Sequence, residues 1–75
     1  MTKFPVVSGE NVIKALNKLG FRFVSQEGSH VKLRLSKIDR VYTVIVPVHP
    51  ELARKTLRSI LKQADLTLDE FRRLL

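Results

Sequence analysis

Residues 21–35 alternate in polarity on either side of a glycine-containing loop: Phe21-Arg22-Phe23-Val24-Ser25-Gln26, then Glu27-Gly28-Ser29, then His30-Val31-Lys32-Leu33-Arg34-Leu35. A period of two sends successive side chains to opposite faces of a β-strand. A three-residue loop with glycine is the kind that joins two antiparallel strands. Pairing Gln26 with His30 sets Phe23 opposite Leu33 and Phe21 opposite Leu35, so the apolar residues of both strands share one face. Arg22, Val24 and Gln26 then lie beside His30, Lys32 and Arg34 on the other. A chain with this hairpin needs a cover for the apolar face, which leaves the cationic face open.

The flanking segments supply the cover. Ser8 caps a predicted helix running to Leu19, with Gly20 as its stop and Val12, Ile13, Ala15, Leu16 and Leu19 as its apolar stripe. Ser36–Arg40 turns the chain into a third strand, Val41–Val46, ended by Pro47. Tyr42, Val44 and Val46 face inward; Thr43 and Ile45 face the cationic side. Thr56 caps a helix over Leu57–Ala64, a start at Pro50 being the alternative. Thr67 and Glu70 form a capping box opening a short terminal helix with Leu68, Phe71, Leu74 and Leu75. The order predicts an α+β fold, a three-stranded antiparallel sheet with helices on one face.

Seventy-five residues make one domain, expected to span 1–75. With no cysteine, disulfides and thiolate metal sites are excluded. The start lacks the apolar run of a secretory signal, and no stretch approaches the ~20 apolar residues of a membrane span. A cytoplasmic protein without membrane contact is the expectation. The net charge of +7 attracts polyanions, of which nucleic acid is the commonest in a cytoplasm.

An imidazole at His30 beside a row of fixed cations is what cleavage of an RNA phosphodiester requires. RNA supplies its own nucleophile, the 2′-hydroxyl. A catalyst must remove that proton, stabilise charge on phosphorus and protonate the leaving oxygen, and imidazole exchanges protons near neutral pH. Lys32 and Arg34, with Arg22 on the same face, are candidates for phosphate contact and charge stabilisation. Ser29 either orients the imidazole or serves as turn chemistry. His49 is either a second acid–base group, emerging near His30 if the chain stays extended past Pro47, or a turn residue. Arg54, Lys55 and Arg58, with Lys62, either track phosphates or form a solvated helix face; Arg72 and Arg73 read as plain surface. Scattered carboxylates and only two histidines give no metal or cofactor site, so metal-independent chemistry is expected.

Four motifs in order, Leu19-Gly20-Phe21, Gly28-Ser29-His30, Val46-Pro47-Val48-His49 and Thr56 through Ala64, resemble the HicA (YcfA-like) toxins over Ser8 to Phe71. The resemblance implies a double-stranded-RNA-binding-domain-like α-β-β-β-α fold and an endoribonuclease that cleaves mRNA. It also implies a HicB-like antitoxin protein as partner, and the family's catalytic histidine falls on His30. Lys55 stands where the family commonly has a glycine before the threonine. The competing readings are a non-catalytic RNA-binding module of the same fold and a structural subunit whose charge meets an acidic partner.

Overall fold

A computed structural model describes residues 3–75; Met1 and Thr2, included in the expected domain, lie outside the described residues. The elements are α1 (Gly9–Lys18), β1 (Arg22–Glu27), β2 (His30–Lys37), β3 (Arg40–Pro47), α2 (Arg54–Ala64) and α3 (Leu68–Arg72). The three strands form one antiparallel sheet in the order β1-β2-β3, giving the expected α+β architecture.

Local chemistry sets most boundaries. Ser8 Oγ accepts the Asn11 N–H at 3.1 Å, satisfying one of the free donors that open α1. The helix buries Val12, Ala15 and Leu16; Leu19, expected in the stripe, is its C-cap and 39 % exposed because the chain is already leaving the helix there. At the far end Thr67 Oγ1 accepts the Glu70 N–H while a Glu70 carboxylate oxygen accepts the Thr67 N–H, the expected capping box of α3. α2 departs from expectation at its start. It begins at Arg54 after Ala53, which makes no side-chain cap, so Thr56 is inside the helix rather than its cap. Leu52 explains the early start: its side chain is buried and its N–H donates to Val7 O at 2.9 Å, fixing the chain just upstream.

The core collects Val31, Leu33, Val44 and Val46 from the sheet, Val12, Ala15 and Leu16 from α1, Leu57, Ile60, Leu61 and Ala64 from α2, Phe71 from α3, and Phe21 from the connection between α1 and β1. Inward parity on β2 and β3 is as expected, with Leu33 opposite Val44 and Val31 opposite Val46. β1 is different. A β-bulge at Val24 inserts one residue between the Phe23–Leu33 and Ser25–Lys32 pairs. The connection is therefore the two-residue Gly28-Ser29, Glu27 pairs with His30, and Gln26 pairs with Val31. Gly28 takes φ 59°, the left-handed conformation that the expected glycine supplies without strain. The expected pairing of Gln26 with His30 is thus corrected by one residue, and neither Val24 nor Gln26 lies in the His30 row; Ser25 and Glu27 do.

Candidate nucleic-acid interface

His30 opens β2 and is exposed, on the sheet face opposite the core residues Val31 and Leu33. The same parity puts Lys32 and Arg34 in line with it. Arg22 pairs with Arg34 across the β1–β2 ladder. Two guanidinium groups directly opposite each other repel, an arrangement that an anion lying between them relieves. From β3, Thr43, Ile45 and Pro47 pair with Arg34, Lys32 and His30 respectively, so the expected inward-outward assignment of this strand holds.

His30 stands between two hollows. One, of about 240 Å³, is lined by Ser25, Gln26, Glu27, His30, Lys32 and Ile45. It contains a carboxylate, because the bulge brings Glu27 directly opposite His30. The other, a cleft of about 290 Å³, runs from His30, Ile45 and Pro47 to one stripe of α2, where Lys55, Thr56, Ser59, Ile60 and Gln63 line it. Lys55, Ser59 and Gln63 recur at every fourth residue, which stacks them on one side of a helix. Gln63 ties that stripe to the sheet: its Oε1 accepts the Ile45 N–H at 2.9 Å and its Nε2 donates to Ser59 Oγ at 3.4 Å.

The remaining candidates sort by position. Lys55 reaches the His30 cleft; Arg54 and Arg58, on the neighbouring stripe, lie 5.7 and 5.4 Å from the centre of the Phe4 ring instead. Ser29 is exposed in the turn, and its carbonyl accepts the Val48 N–H at 2.6 Å. His49 lines neither hollow; it follows the end of β3, and its carbonyl accepts the Gly9 N–H at 2.9 Å. Among the described residues, no three His, Cys, Asp or Glu side chains are grouped to hold a metal ion, and no helix is long and apolar enough to cross a membrane.

Sequence reasoning missed Glu27, Thr56, Ser59 and Gln63 as neighbours of His30. A two-residue Gly-Ser loop would have paired Glu27 with His30, and the four-residue spacing of Lys55, Ser59 and Gln63 was a legible stripe. The bulge left one trace in the sequence: Val24 is an apolar residue at a position that the alternation assigns to the cationic face.

No curated protein matches the chain at a significant level. A family model does: that of the HicA toxin of bacterial toxin–antitoxin matches residues 9–66, from the first residue of α1 to just beyond α2. A match over so much of 75 residues, on a fold with the element order its motifs imply, means that this chain belongs to the HicA toxin family.

Proposed function

We propose that this toxin is a metal-independent endoribonuclease that cleaves mRNA, with His30 as general acid or base, and that a HicB-like antitoxin protein holds it inactive in the cytoplasm. The observation that carries the reading is the exposed imidazole of His30 in line with Lys32 and Arg34 and at the mouth of a cleft that contains Lys55. In the reaction the 2′-hydroxyl loses its proton and its oxygen attacks phosphorus. The bond to the 5′-oxygen breaks, and that oxygen takes a proton. The products are a 2′,3′-cyclic phosphate and a 5′-hydroxyl. His30 serves one of the two proton transfers, while Lys32 and Arg34 offset the charge that grows on the phosphoryl oxygens. Ser29 and His49 support the chemistry only through the hairpin and the segment after β3. Arg22 and Arg34 hold a flanking phosphate.

The test is digestion of RNA by wild type and by His30→Ala with EDTA present. Cleavage should fall by ~10²–10⁴-fold in the variant, with an unchanged melting temperature because the ring is outside the core. An RNA carrying 2′-deoxyribose at the scissile position should resist both proteins. Undiminished cleavage by His30→Ala removes this residue from the mechanism. RNA binding without cleavage by the wild type replaces the enzyme by a non-catalytic RNA-binding module.

A further inference from the structure

We infer that the cleft between His30 and α2 is a subsite for a single unpaired ribonucleotide, its phosphate held by Lys55, Thr56 and Ser59 and its base or ribose resting on Ile45 and Pro47. This subsite rests on the ribonuclease reading, and it names the substrate class: RNA that is single-stranded where it is bound.

Charge separates the two hollows beside His30. The hollow on the β1 side has the Glu27 carboxylate across from the imidazole, which repels a phosphate. The cleft on the α2 side has no carboxylate, and offers an ammonium from Lys55 and hydroxyls from Thr56 and Ser59. Hydrogen bonds to a charged group are the stronger class. The hydroxyl of Ser59 is also set up to donate. Gln63 is fixed by the Ile45 N–H on one side and gives its own Nε2–H to Ser59 Oγ on the other. With its oxygen already accepting, Ser59 has its proton left for an acceptor in the cleft.

The floor decides between paired and unpaired RNA. Ile45 is exposed on β3 beside the half-buried Pro47, on the same face as His30. An A-form duplex presents phosphates, 2′-hydroxyls and base edges, and its base faces are stacked on one another. Only an unstacked nucleotide has an apolar face to lay on Ile45 and Pro47. A volume of about 290 Å³ is at the small end of ligand sites, roughly 300–1,000 Å³, and takes one nucleotide rather than a base pair. An unpaired chain also bends freely enough to bring a 2′-hydroxyl in line with the bond that breaks.

The test uses the full chain with His30→Ala, so that bound RNA is not cut, and follows backbone amide resonances on adding a short mixed-sequence RNA. The same RNA annealed to its complement is the second titrant. With the single strand, amides of Ile45, Thr56 and Ser59 should shift. The duplex should leave them in place. Adding Lys55→Gln, or Thr56→Val with Ser59→Ala, should weaken single-strand binding by about ten- to a hundredfold. Shifts confined to Ser25, Gln26 and Glu27, or equal shifts at the cleft with duplex, overturn the subsite. A wild-type protein that cuts RNA while the cleft amides stay still in this titration refutes the subsite alone. Shifts at the cleft with no cleavage by wild type refute the ribonuclease and leave the subsite standing.

Discussion

Gly9 shows how one side chain's absence can position a site it never touches. It is the first residue of α1, yet its N–H donates to His49 O, and a Cβ there would meet the Pro47 carbonyl oxygen and lie 2.9 Å from Val48 Cα. The start of α1 is thereby pressed against the end of β3, where Pro47 is the partner of His30. Helix propensity alone favours alanine over glycine by about 1 kcal/mol, so an ordinary helical glycine would gain from the change. Here the backbone contact reverses the sign. Gly9→Ala should destabilise by roughly 1–3 kcal/mol, as overpacking a closed site does, and lower the melting temperature by about 4–8 °C for each kcal/mol. Thermal unfolding followed by circular dichroism checks this; an equal or higher midpoint would show that the end of β3 yields. His30 illustrates the opposite case, a residue whose placement was plain in the sequence because parity along β2 depends only on the chain's period of two. Its neighbours were not plain, because they come from α2 and from a bulged strand, and neither follows from the pattern within β2.

The elements that could be read from the sequence are those with a local cause. Ser8 and the Thr67–Glu70 pair announce their helices because a cap is a short-range hydrogen bond between residues three apart. α2 begins without a side-chain cap, so its start left no mark, and Thr56 offered a false one. β1 misled for a related reason. Phe23 shares the core side of the sheet with Leu33, but it is 62 % exposed on an edge strand, so burial did little to fix the register near the turn. The capping box of α3 carries a pH dependence. The Thr67 N–H and then the Thr67 hydroxyl hold the Glu70 carboxyl below its ordinary value of 4.5; desolvation opposes them, and Arg73 contributes the least of the lowering effects. A carboxyl whose folded value is depressed stabilises the fold fully above its unfolded value, and this contribution fades as pH falls through the lowered folded value. Glu70→Gln can keep the cap's geometry but not its charge. The stability gap between wild type and Glu70→Gln should be present at pH 7 and shrink below pH 4.5. Urea titrations across that interval measure it, and a gap that widens in acid would refute the assignment.

The charge of +7 is the broadest property of this chain, and the fold divides its 14 cations into groups with different work. Arg22, Lys32 and Arg34 share the His30 face, and Lys55 lines the cleft beside it. Lys37 and Arg40 lie 5.5 and 4.8 Å from the centre of the Tyr42 ring at the other end of the β2–β3 hairpin, and Lys18 Nζ donates to Leu74 O at 2.7 Å. The molecule is 34 Å along its longest axis, several times the screening length of about 8 Å in physiological salt. Distant cations therefore add little to the binding of any single phosphate at the His30 face. If four cations each neutralise one phosphate of a single strand, log affinity should fall with log salt at a slope of about −3, since each contributes roughly −0.7. Engagement of all 14 would give about −10 by the same rule. Arg34→Ala should reduce the slope by roughly one contact and also relieve the repulsion with Arg22, so binding weakens while the melting temperature holds or rises. Arg40→Ala should leave the slope unchanged. Fluorescence anisotropy of labelled RNA with the His30→Ala protein across a salt series reads all three slopes. A slope that responds to Arg40 and ignores Arg34 would move the RNA track to the far end of the sheet, away from the imidazole.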